Sequence, residues 1–191
     1  MSDFFQKDYD IPNDSKYMKF EEGENVFRIL GSFADGTAIM GTELWVTKED
    51  GKRYPKRFKM GEAVPVSDIE VNPKTGEEDL PKHFWAVPVY NYATKTIQVL
   101  EITQKSIMNP IKAYADNPKW GNPKNYDFIV TRTKENGKTS YSVTVNPKEK
   151  LDEGILTLYK DLKLNLGALY DGGDPFQEAS SVDINDIPEN L

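Results

Sequence analysis

From Glu24 onward, apolar and polar residues alternate along the chain. ENVFRILG and AIMGTELWV each place apolar side chains near every second position and read as strands, with Gly31 and Asp35-Gly36 marking the turn between them. KEDGK is a second turn signal and delivers the chain into KRYPKRFK, residues 52–59. Residues 60–81 are rich in Pro, Gly and acid and lack an apolar period, which predicts a long excursion between strands. HFWAVPVYNY and TIQVLEIT are strong strand patterns separated by Ala93-Thr94-Lys95, so they predict a hairpin. SIMNPIKAYAD predicts a short helix with Asn109 as cap and Pro110 at its first position. YDFIVTRT and TSYSVTV flank Asn136-Gly137, the best two-residue hairpin signal in the chain. Leu151, Ile155, Leu158, Leu162 and Leu166 then fall on one face of a predicted helix that would pack across the strands.

A helix between a strand meander and a closing hairpin is the order of an OB-fold. The expected class is therefore mainly β: a five-stranded Greek-key barrel with a short helix, an inserted loop, a C-terminal helix and a disordered acidic tail. Residues 1–16 read as a mobile lead, 17–170 as the barrel domain and 171–191 as the tail.

Composition narrows the chemistry. The 191 residues are 38% hydrophobic and 12% aromatic, enough for one good core. No apolar run is long enough to cross a bilayer, and MSDFFQKDYD lacks the basic lead and apolar stretch of a signal peptide, so a soluble, cytoplasmic protein is expected. Zero cysteines exclude disulfides, a thiolate nucleophile and sulfur-based zinc sites. The single histidine, His83, cannot build an imidazole cluster, and no nucleophile motif or phosphate loop occurs. No metal, no cofactor and no catalytic residue is expected. The formal net charge of -7 hides an asymmetry: residues 1–44 hold 4 Lys/Arg against 9 Asp/Glu, residues 45–150 hold 18 against 13, and residues 151–191 hold 2 against 9. A basic middle between acidic ends suggests an anionic partner for the middle.

Three clusters carry that suggestion. In the first, Lys52, Arg53, Lys56, Arg57 and Lys59 are interleaved with Tyr54 and Phe58 and preceded by Trp45. Cations neutralise phosphates, and flat aromatic faces stack unpaired bases at roughly 1–3 kcal/mol each. The bland reading is a solvated edge strand whose lysines guard against aggregation while its aromatics point inward. In the second cluster, strand alternation puts Phe84, Tyr90 and Tyr92 on a binding face and Trp85 with its valines in the core, with Lys82 and Lys95 at the two ends. The third holds Lys119, Trp120 and Lys124 in a Gly/Pro-rich loop, where Trp120 either stacks on a base or caps the barrel. Arg132 is a further candidate phosphate contact. The tail sets Ile184, Ile187, Pro188 and Leu191 among acids that include Asp183 and Asp186, giving a protein partner something specific to grip.

KFEEGENVFRILG, the Trp before a basic strand, PKHFWAVPVYNYATKTIQVLEITQKSI, KWGNPKNYDFIVTRT and YSVTVNP together resemble bacteriophage single-stranded DNA-binding proteins related to the T4 helix-destabilising protein. The likeness runs over about residues 17–165, and its most specific pieces are the WA-x-x-VYN strand and the WG-x-P-x-x-YD loop. It implies an OB-fold that coats single strands during replication, recombination and repair in the cytoplasm of a bacterial host. Asp186-Ile187-Pro188 is separately similar to the acidic tips of bacterial single-stranded DNA-binding proteins, which end in Phe where this chain continues Glu-Asn-Leu. The T4 protein holds zinc through Cys and His and has a basic N-terminal motif for cooperative binding; this chain has no Cys and an acidic lead. The expected function is binding of single-stranded DNA with little sequence preference, with the tail recruiting replication or recombination proteins. The alternatives are an assembly module whose basic face meets an acidic protein, and a small metal-dependent nuclease.

Overall fold

The computed structural model describes residues 15–176. The expected lead up to Asp14 and the tail residues Asp183, Ile184, Asp186, Ile187, Pro188 and Leu191 lie outside the described residues. The architecture is mainly β. Eight strands form one mixed sheet: β1 (Tyr17–Met18), β2 (Gly23–Ile29), β3 (Ile39–Thr47), β4 (Arg53–Lys59), β5 (Lys82–Asn91), β6 (Thr96–Ile102), β7 (Asp127–Glu135) and β8 (Lys138–Val145). The main path runs β1-β6-β5-β2-β7-β8, with β3 joining β5 and carrying β4. Only β1 on β6 is parallel; the other pairings are antiparallel. Two helices, α1 (Lys105–Asp116) and α2 (Glu153–Leu162), complete it. No helix among the described residues is long and apolar enough to cross a membrane.

β5 is the hub. One of its edges takes β6 from Trp85 to Asn91, while the other is shared, Lys82–Ala86 pairing with β3 and Val89–Asn91 with β2. Pro88 sits where that edge passes from one partner to the other, so its missing N–H breaks no ladder, and its carbonyl still accepts from Leu30 N–H at 2.9 Å. Gly31 crosses directly over Pro88: a Cβ there would lie 2.6 Å from the proline ring. At the β7–β8 turn, Asn136 and Gly137 take φ of 49° and 75°, the positive values a two-residue turn between twisted strands demands.

Side chains from the two faces of β5 enter different cores. Val87 and Val89 join Phe27, Leu100, Ile102, Ile107, Phe128 and Val130 in the main core, against which Trp85 and Trp120 pack half-buried. Phe84 and Ala86 join Ile39, Val99, Leu166 and Leu169 in a second core. Alternation along β5 is as expected, but the face assigned to ligand is not open: the 3-10 segment Leu166–Asp171 lies across it, and Phe84 is fully buried. Trp85, expected in the core, packs on the main core and also lines a surface cleft, with its ring 5.4 Å from that of Phe33.

The helices also differ from expectation. α1 begins at Lys105, a turn before the expected cap, and carries Pro110 in its interior. An interior proline costs about 3 kcal/mol, whereas burying Ile107, Met108 and Ile111 on the main core gains roughly 1.5–3 kcal/mol each, so packing outweighs the missing hydrogen bond. The predicted C-terminal helix ends at Lys163, which takes left-handed φ and ψ of 46° each. None of α2 is fully buried, and the sheet is covered by Leu166 and Leu169 beyond the break.

A buried charge locks the opposite end of the sheet. Arg28 is 1% exposed; its Nε donates to Asp127 Oδ1 at 2.6 Å and its Nη1 to the carbonyls of Lys124 and Glu149. The Tyr92 hydroxyl donates to the same carboxylate oxygen at 2.9 Å. Burial, with that hydrogen bond to Asp127, pushes the Tyr92 phenol up to about 12. Because the folded value is the higher one, the contribution is complete below about pH 10 and is lost as pH rises toward 12. Urea unfolding at pH 8 and pH 11.5 should show Tyr92→Phe losing less stability over that window than the wild type; equal losses would mean the phenol is not held this way.

Candidate nucleic-acid interface

β3 outruns its partner in the sheet. Its pairing with β5 stops at Glu43, while its pairing with β4 continues to Thr47, so the β3–β4 hairpin projects as an arm carrying the basic stretch. Gly41 is the junction, opposite both Lys59 and Phe84, and a Cβ on it would lie 2.0 Å from the Phe58 carbonyl oxygen. Nothing larger than glycine fits between the strands there.

The cations of the arm have different fates. Arg57 is buried: Nε and Nη2 donate to Glu43 Oε2 at 3.0 and 2.9 Å, Nη1 lies 2.9 Å from Glu101 Oε1 on β6, and the guanidinium sits 5.0 Å over the Phe84 ring. Burial disfavours its charge, but Glu101 and Glu43 more than offset burial and hold its pKa above the ordinary arginine value. Arg57 is a strut between three strands. Arg53 donates to the Trp45 carbonyl at 2.9 Å and meets the Asp79 carboxylate. Lys56 Nζ lies 2.7 Å from Asp68 Oδ2 and 5.6 Å from the Phe58 ring centre, and Phe58 is half-buried. Lys59 reaches over Tyr170 at 5.8 Å. Lys52 is exposed and makes no ion pair among the described residues. For Arg53, Lys56 and Arg57, the chain's own carboxylates are the counter-anions.

Between the arm and the β1–β6 edge lies a cleft of about 510 Å³. Lys48, Tyr54 and Arg57 line it from the arm, Tyr17 and Lys19 from β1 and the residue after it, Glu101 from β6, and Gly172 and Gly173 from the C-terminal segment. Lys48 Nζ lies 4.2 Å over the Tyr54 ring, whose hydroxyl donates to Asp50 Oδ2 at 2.7 Å. That bond raises the Tyr54 phenol above its ordinary value and lowers the Asp50 carboxyl. Lys19 and Lys48 therefore meet the rings of Tyr17 and Tyr54 along one opening. Trp45 stands on the same arm outside the cleft wall, 42% exposed.

The other candidates are scattered. Tyr90 and Tyr92 pack edge to face at 5.0 Å, half-buried at the far end of β5. Lys82 and Lys95 are exposed at the start of β5 and in the turn after it. Trp120 lies edge-on to Tyr114 and Tyr126, 5.5 Å from each, and packs on the main core, so it caps that core. Lys119 is exposed beside it; Lys124 is 4.0 Å from Asp35; Arg132 donates to the Phe20 carbonyl at 3.1 Å. Sequence reasoning missed Tyr17, Lys19 and Lys48. Lys16-Tyr17-Met18-Lys19 repeats in miniature the basic-aromatic texture of the arm, and that was the available signal.

Among the described residues no group of three His, Asp or Glu side chains comes together to hold a metal ion. Neither a family model nor a curated protein sequence matches this chain.

Proposed function

We propose that this protein binds single-stranded DNA with little sequence preference, through the cleft between the β3–β4 arm and the β1–β6 edge. The observation that carries this reading is the meeting of Lys19 and Lys48 with Tyr17 and Tyr54 in one open cleft. Phosphates would run past Lys19, Lys48 and Lys52 while bases stack on Tyr54, Tyr17 and the exposed Trp45. The order β6-β5-β2-β7-β8, with α1 between β6 and β7, supports assignment as an OB-fold carrying the arm as an insertion between its first two strands. The resemblance to phage single-strand binders extends this reading to phage replication, recombination and repair, with Asp186-Ile187-Pro188 of the tail as a handle for partner proteins.

The test is fluorescence anisotropy of labelled oligo-dT and of a duplex of equal length, at several salt concentrations with Mg2+ present, and recovery of the DNA afterwards. Preference for the single strand with intact DNA is expected, and log K should fall with log salt at a slope of roughly -2, about 0.7 for each of three phosphate contacts. No binding at low salt would overturn the reading and leave the arm as a protein-docking surface; cleaved DNA would point to the nuclease.

A further inference from the structure

The excursion between β4 and β5 is folded inside out. No residue from Met60 to Pro81 is fully buried; Val64 and Ile69 are half-buried, and the other large apolar side chains, Met60, Val66, Val71 and Leu80, are each at least 60% exposed. Its carboxylates are the groups that turn inward. Asp68 takes Lys56, Asp79 takes Arg53, and Glu70 accepts from both the backbone N–H and the hydroxyl of Thr47 at the end of β3. The Thr47 hydroxyl and amide hold the Glu70 carboxyl below the ordinary glutamate range. The segment keeps its own shape through Asn72, Gly76 and Asp79 N–H groups that donate within it. A loop that belonged to the core would bury Val66 and Val71. This one is held on the arm chiefly by charge: Lys56 is half-exposed in its pair with Asp68, Arg53 and Asp79 keep 22% and 21% of their side chains exposed, and another anion competes for the same two cations.

We infer that Arg53 and Lys56 form a second phosphate subsite of the same interface, closed in the free protein by the Asp79 and Asp68 carboxylates and opened when a nucleic-acid backbone replaces them. This rests on the single-strand reading above. A carboxylate and a phosphate oxygen make the same charge-assisted hydrogen bonds, so the exchange keeps each cation paired throughout. A short strand engages Lys19, Lys48 and Lys52 first; a longer one displaces the acidic cover.

Asp68→Asn/Asp79→Asn is compared with Glu77→Gln/Glu78→Gln, which removes the same charge from the same excursion where the side chains make no ion pair. The first pair should bind oligo-dT about tenfold more tightly than wild type, and the second should change affinity by less than about threefold. Equal gains in both would reduce the effect to net charge and overturn the subsite. The Thr47 amide, hydrogen-bonded to Glu70, reports the cover independently of affinity. Its hydrogen exchange in the wild type should quicken on adding saturating oligo-dT. Saturation without quickening would overturn displacement while leaving the single-strand reading intact, and absence of any wild-type binding would overturn both.

Discussion

Arg57→Ala should destabilise the protein by about 3–5 kcal/mol in urea unfolding, because it leaves the Glu43 carboxylate buried without its counter-charge. The same guanidinium spans Glu43 on β3, Glu101 on β6 and the Phe84 ring, so its removal also unties the arm from the sheet. Arg57→Lys should recover little: a single ammonium cannot fork between two carboxylates while lying flat over an aromatic ring. Lys52→Ala, five residues away in the same basic stretch but exposed, should stay within about 0.5 kcal/mol of wild type. An Arg57→Ala protein of undiminished stability that has lost affinity for DNA would reverse the assignment, making Arg57 a ligand-binding residue.

Tyr54→Ala and Trp45→Ala are each expected to weaken oligo-dT binding by roughly 5- to 150-fold, the range that losing one base stack spans. Tyr54→Phe separates stacking from the hydroxyl's bond to Asp50 and should stay within about threefold of wild type. Trp120→Ala is the contrasting case. Its ring is wedged against Tyr114, Tyr126 and the main core, so it should cost about 3–5 kcal/mol of stability. Wild-type affinity in the Tyr54→Ala/Trp45→Ala double variant would remove stacking on the arm from the mechanism.

Local signals were legible and long-range ones were not. Asn136-Gly137 marked its hairpin because positive φ at both positions is a property of those two residues alone. β5 and β6 were evident from alternation. Pro110 misplaced the start of α1 because its penalty is local while the compensating burial of Ile107 and Met108 depends on strands elsewhere in the sheet. Phe84 looked free for the same reason: the side chains that cover it come from Leu166–Asp171. Charge was the hardest to read. KRYPKRFK is dense in cations, yet which of them remain available depends on Glu101, Asp79 and Asp68, and pairing of that kind leaves no periodic trace.

The parallel pairing of β1 with β6 has a practical consequence. Lys16 pairs with Asp174 at 2.8 Å and Tyr17 packs edge-on against Phe176, so the two ends of the described chain leave the fold side by side. Gly172 and Gly173, just before that exit, form part of the cleft wall. A fusion partner joined directly before Ser15 or directly after Phe176 would therefore start its course beside the opening it must not obstruct. A dye attached just past Phe176 would sit within reach of an incoming strand and could serve as an internal reporter of its arrival.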